Sequence, residues 1–132
     1  MGAWSHEPFG NDDALDWVYE LEESEGFSVI EQAFEAALAA EDYLDVTDGC
    51  NAVAAAELLA KLLGKGTVEY YPEHAEAWLQ RMDTPPSAAL LAKARQALAR
   101  VQGEDSELKE LWDEAEDEEW LPSVKAIEAA LA

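Results

Sequence analysis

Apolar residues recur along this chain three and four positions apart, in stretches separated by glycine, proline and acid. The first stretch follows Asn11, a good helix cap, with Asp12 and Asp13 in the first turn where the helix dipole favours negative charge. Ala14, Trp17, Val18 and Leu21 form its inner face, and the helix is expected to run to about Glu25, with Gly26 ending it. On the outside, Asp13, Asp16, Glu20 and Glu23 recur at i, i+3, i+7 and i+10, which places four carboxylates on one stripe. Ser28 and Glu31 have capping-box spacing before a second helix with Ile30, Ala33, Phe34, Ala37 and Leu38 inside, fraying around Glu41 and Asp42. Tyr43, Leu44 and Val46 tack the next loop to the core.

Asp48 is the expected cap of a third helix over 49–63. Its alanines (Ala52, Ala54, Ala55, Ala56, Ala60) let neighbouring helices approach closely, so it belongs at the centre. Gly64 and Gly66 stop it. Pro72 suits the first turn of a short fourth helix carrying Ala75, Trp78, Leu79 and Met82. Thr84-Pro85-Pro86 is a firm break and the best place for a minor internal boundary at 84–86. Ser87 opens a fifth helix with Leu90 or Leu91, Ala94, Leu98 and Val101 inside. Asp105 or Ser106 caps a sixth, with Leu108, Leu111, Trp112 and Ala115. Trp120, Val124, Ile127 and Leu131 space a seventh, where Pro122 is tolerable in the first turn. No period-two pattern persists. The expected fold is all-α: one bundle of about seven short helices over 1–132, preceded by an ordered aromatic loop.

Charge adds the strongest constraint. Thirty acids against eight bases give a net charge of −22, and residues 1–60 hold fifteen of those acids with no lysine or arginine. Such a surface repels nucleic acid and anionic membranes and attracts a basic partner or cations. Hydrophobic residues make up 49% of the chain, too many for a disordered acidic tail. No apolar run is long enough to span a membrane, and the first residues lack the basic and apolar regions of a signal peptide, so the expected compartment is the cytoplasm. The single cysteine, Cys50, excludes an internal disulfide. A helix start can lower a thiol pKa, but Cys50 reads first as a small apolar residue packed near a helix end.

Several motifs together resemble a known family. The opening Met1-Gly2-Ala3-Trp4, then Pro8-Phe9 and Asn11-Asp12-Asp13-Ala14-Leu15-Asp16-Trp17, are similar to the start of the small bacterial proteins catalogued as domain of unknown function 4259. The similarity continues through Tyr43-Leu44-Asp45, the Ala54-Ala55-Ala56-Glu57 helix and Trp78, and returns in 106–112 and Glu119-Trp120-Leu121. Ser5-His6-Glu7 departs from the family's glycine-containing pattern. The resemblance implies a single-domain bacterial protein and brings no catalytic residues, because the family has no assigned activity.

Three constellations are candidates for function. His6, Glu7 and Asp12, with Asp13 and Asp16, mix imidazole and carboxylates as a divalent-cation site would, but in no recognised loop spacing; capping and surface acids explain them more simply, and no cofactor is expected. Tyr70, Tyr71 and His74 offer a general base beside two aromatics, and with Trp4 and His6 they outline a ligand pocket or small active site. The third is the acidic surface: the stripe Asp13, Asp16, Glu20, Glu23 first, then Asp113, Glu114, Glu116 and Asp117. It suits an immunity- or antitoxin-like inhibitor of a basic toxin or nuclease, with solubility alone as the plain alternative. The fifth helix holds three bases and no acid, so a homodimer through that helix stands beside a monomer.

Overall fold

A computed structural model describes residues 7–24 and 26–132. Trp4 and His6, named above as pocket and ligand candidates, lie outside the described residues, as does the opening of the aromatic loop. Among the described residues there are seven α-helices and no strand, an all-α fold as expected.

Helix α1 (Asp12–Glu23) starts as its sequence dictates. Asn11 Oδ1 accepts from the Ala14 amide at 2.7 Å, and its Nδ2 donates to the Pro8 carbonyl at 3.3 Å, tying the preceding loop to the helix. The four expected inner residues are the four that are buried. The helix stops at Glu23, short of Glu25, because the Ser24 amide and hydroxyl both turn back to the Leu21 carbonyl. Gly26 then takes a φ of +68°, a left-handed turn that glycine adopts without strain.

Helix α2 (Ser28–Ala39) lacks the expected capping box: Phe27 is its N-cap and makes no side-chain cap bond. The Phe27 ring packs edge-on against Trp78, 6.0 Å between centroids, which starts the helix at Ser28 and leaves that serine within the first turn. The Glu31 carboxylate turns to Lys93 instead. Of the expected inner residues, only Leu38 is exposed.

Helix α3 (Val46–Leu62) begins three residues before the expected 49. Asp45, not Asp48, is the cap; it accepts from the Asp48 amide at 2.8 Å. The earlier start follows from tertiary pinning. Leu44 bonds to Asp105 and Glu107 through its backbone, and the Val46 amide donates to Glu107 Oε1 at 2.8 Å. Gly49 faces Leu108 so closely that a Cβ there would lie 3.3 Å from that side chain. Gly64, at φ +78°, closes the helix: its amide bonds to the Lys61 carbonyl and the Lys65 amide to Ala60, each at 2.9 Å. Residues 52–60 are all buried, and every other helix packs on this one.

Helices α4 (Glu73–Arg81) and α5 (Ala88–Gln102) flank the Thr84-Pro85-Pro86 break, α4 against α1 and α5 against α2 and α3. Ser87 caps α5 as expected, and Leu90 rather than Leu91 is the buried member of its pair. Ser106 caps α6 (Glu107–Glu114), where Ala115 is an exposed cap residue and not part of the inner face. Trp120, Val124, Ile127 and Leu131 are all buried on α7 (Trp120–Ala130) and its cap. No helix among the described residues is long and apolar enough to cross a membrane.

Candidate binding face

The α1 stripe does not present all four carboxylates alike. Asp16, Glu20 and Glu23 are exposed, together with Asp12. Asp13 is half-buried and accepts from the Thr47 hydroxyl at 3.3 Å, so it joins α1 to the start of α3. Tyr19 stands among the exposed acids with 58% of its surface in solvent.

The bases explain why this charge persists. Three arginines donate to main-chain carbonyls at helix ends and loops. Arg81 reaches Glu22 O and Ser24 O at 2.5 and 3.2 Å, Arg95 reaches Leu131 O at 2.8 Å, and Arg100 reaches Glu104 O and Asp105 O at 3.1 and 3.3 Å. Cations there complement the negative ends of helices and leave side-chain acids unneutralised. Lys93 bridges Glu31 and Glu35 of α2 at 2.9 and 3.0 Å, and these hydrogen bonds hold its ammonium pKa above the ordinary range. Lys109 pairs with Asp113 at 2.7 Å along α6. All three bases of α5 thus have partners within the chain. Among the described residues, no cation pairs with Asp16, Glu20 or Glu23.

The second acidic run divides in the same way. Glu114 and Glu116 are exposed, Asp113 is the partner of Lys109, and Asp117 is half-buried. Asp117 Oδ1 accepts from the Glu119 and Trp120 amides at 2.7 and 3.0 Å and so organises the start of α7. Glu116 sits at φ +56°, a left-handed conformation that side chains other than glycine adopt at a cost.

The aromatic candidates flank two neighbouring depressions. Phe9, Gly10, Leu15, Val68, Tyr70, Tyr71, Pro72 and Glu7 line a cavity of about 310 Å³. A wider groove of about 540 Å³ shares Leu15 and Pro72 with it and carries Asp12, Asp16, Tyr19, Glu73 and His74. His74 therefore lines the groove, while Tyr70 and Tyr71 line the adjoining cavity. Its Nδ1 meets the Glu22 carboxylate, and its ring tilts against Tyr19 with centroids 4.2 Å apart. Among the described residues no three His, Cys, Asp or Glu side chains converge as a metal site would require; His6 lies outside them.

Cys50 is buried in the core, and its thiol is pushed up to about 12, by desolvation first and by Asp13 second. Burial outweighs the helix start that would favour a thiolate.

The role of one residue escaped sequence reasoning. Glu57 lies in α3 among alanines and leucines with no exposed surface. Its carboxylate accepts from the Thr67 amide at 2.9 Å and from the hydroxyls of Thr67 and Tyr71. Burial, and then this bond, raise the Tyr71 phenol well above its ordinary pKa. The connector passes so closely that a Cβ on Gly66 would overlap the Tyr71 hydroxyl. A lone acid inside an alanine-rich helix was the available signal.

Comparison with known proteins gives a family and nothing finer. The model for the domain of unknown function DUF4259 matches residues 2–123, and the chain belongs to that family. No curated protein and no solved structure matches the chain.

Proposed function

We propose that this chain is a cytosolic, non-catalytic acidic binding protein that engages a basic macromolecular partner through the outer face of α1, in the manner of an immunity- or antitoxin-like inhibitor. The observation that supports the reading is the disposition of the cations. Five of the eight bases make hydrogen bonds or ion pairs within the chain, three of them on main-chain carbonyls, while Asp16, Glu20 and Glu23 stand exposed around Tyr19. Unneutralised charge of one sign steers an oppositely charged partner, and an exposed tyrosine adds contact area at low entropic cost. Solubility alone would need no such arrangement of the bases.

The test is calorimetric titration with basic proteins encoded by genes beside this one, at low and high salt. Replacing Asp16, Glu20 and Glu23 by Asn, Gln and Gln weakens binding by about tenfold or more, and salt does the same. Equal affinity for the wild type and the triple variant sinks the assignment.

A further inference from the structure

The cavity between the connector 64–72 and the N-terminal end of α1 has the chemistry of a cation receptor. Aromatic rings carry negative charge on their faces and attract ammonium and guanidinium groups. Three such rings, of Phe9, Tyr70 and Tyr71, line this cavity of about 310 Å³, with Leu15, Val68 and Pro72 completing an apolar wall. Phe9 and Tyr71 meet edge to face at 69°, with centroids 5.9 Å apart, so the edge of one ring covers a face of the other and the remaining faces are left unstacked by this pair. Tyr70 is 84% exposed and is free to swing over an occupant.

Tyr71 is prepared for a cation by its hydrogen bond. Its hydroxyl donates to the buried Glu57 carboxylate, which pushes electron density into the ring and strengthens the negative potential of its faces. Lys61 Nζ already lies over this ring, 5.5 Å from its centroid, but Lys61 does not line the cavity, so a guanidinium there competes with it for the ring and depends on the carboxylates nearby to offset the repulsion. The volume is at the small end of ligand pockets, suited to one side-chain head with its methylenes and not to a cofactor. The adjoining groove supplies the carboxylates of Asp12, Asp16 and Glu73, so a chain leaving the cavity runs along negative charge.

We propose that this cavity receives an arginine side chain of the basic partner, its guanidinium held against Tyr71 and covered by Tyr70. Arginine is favoured over lysine because its planar, weakly hydrated head stacks on aromatic faces. This inference rests on the reading of α1 as a partner-binding face and names the anchor of that partner.

The cavity is tested with a small probe, independently of any partner. N-acetyl-arginine methylamide is titrated into isotope-labelled protein, and amide resonances are followed by NMR, with N-acetyl-citrulline methylamide as the neutral isostere. The arginine probe produces saturable shifts at Phe9, Gly10, Val68 and Tyr70 at millimolar concentration, and citrulline does not. Tyr70→Ala, which removes an exposed ring and leaves the fold intact, weakens the probe severalfold. The α1 triple variant keeps the shifts at the cavity. Equal shifts from citrulline, shifts confined to the α1 acids, or full binding by Tyr70→Ala would each overturn the proposal. Failure of the α1 face instead appears as partner binding indifferent to Asp16, Glu20 and Glu23, so the two failures are told apart.

Discussion

The phenol of Tyr71 donates to the carboxylate of Glu57, fourteen residues earlier in the chain and fully buried within α3. This bond and two from Thr67 satisfy the carboxylate with no cation paired to it among the described residues, and they hold the connector after α3 against the core. Glu57→Leu leaves three donors without an acceptor and lowers stability by about 3 kcal/mol or more in urea denaturation. Glu57→Gln keeps one acceptor oxygen and an amide that can donate to the Thr67 hydroxyl, so its loss is smaller. Equal losses in the two variants would mean that shape, not hydrogen bonding, is what Glu57 contributes.

Tyr43 gives the chain an alkaline signature. Its hydroxyl donates to Glu110 at 2.7 Å, and that bond, then desolvation, then nearby acids, push its pKa up to about 12 from 10.0. The folded state therefore holds the phenolic proton more tightly than the unfolded state. The stabilisation is complete below about pH 10 and fades as pH rises through about 12. Ultraviolet titration of phenolate in Tyr43→Phe loses one late-ionising group, and the variant's stability falls less steeply with alkali than that of the parent.

Cys50 is expected to be inert in the native protein. With its thiol pushed up to about 12 and its side chain buried, modification by a thiol reagent at neutral pH proceeds only through unfolding. The modification rate should rise with urea in step with the unfolded fraction. Rapid labelling without denaturant would contradict the packing around the start of α3.

Glu116 occupies the position after the α6 cap where helices commonly place glycine. Its amide bonds to Asp113 O and that of Asp117 to Trp112 O, each at 3.1 Å, so the closing motif forms despite the side chain. Glu116→Gly removes the left-handed strain and raises stability by about 0.5 to 1 kcal/mol, partly offset by the freedom glycine gains when unfolded. A fall in the urea midpoint would show that the Glu116 side chain contributes more than its backbone costs.

Salt should stabilise this protein. With a net charge of −22 and most bases engaged within the chain, screening relieves more repulsion than it weakens attraction. The melting temperature rises by several degrees with sodium chloride, mostly below about 0.15 M where screening is steepest. A flat or falling curve would show that the surface acids do not repel one another strongly.

Much of the fold could be read from local pattern, and the departures share one cause. Asn11 and Ser87 cap the helices their spacing implied, because cap and first turn are neighbours in the chain. The inner faces of α1 and α7 followed from periodicity alone. The Ser28–Glu31 box and the start of α3 did not, since Trp78 fixes Phe27 and Glu107 fixes Val46 from 51 and 61 residues away. The candidate site follows the same rule. That α1 carries an acidic stripe was visible at once, whereas Asp13 turning to Thr47 was not. Neither was His74 joining Tyr19 and Glu22, 52 residues from the latter, nor Glu57 receiving a loop that spacing does not announce.

The enclosure of α3 has a consequence for how the molecule comes apart. Peripheral helices contact few neighbours, while the alanine-lined helix touches all of them. Local opening of an outer helix leaves α3 in place, but losing α3 dissolves the whole assembly. Its amide protons then exchange with solvent only when the entire chain unfolds. The exposed acids of α1 lie on the side turned away from that rod, so this outer surface can diverge through sequence drift without loosening the part that keeps the chain folded.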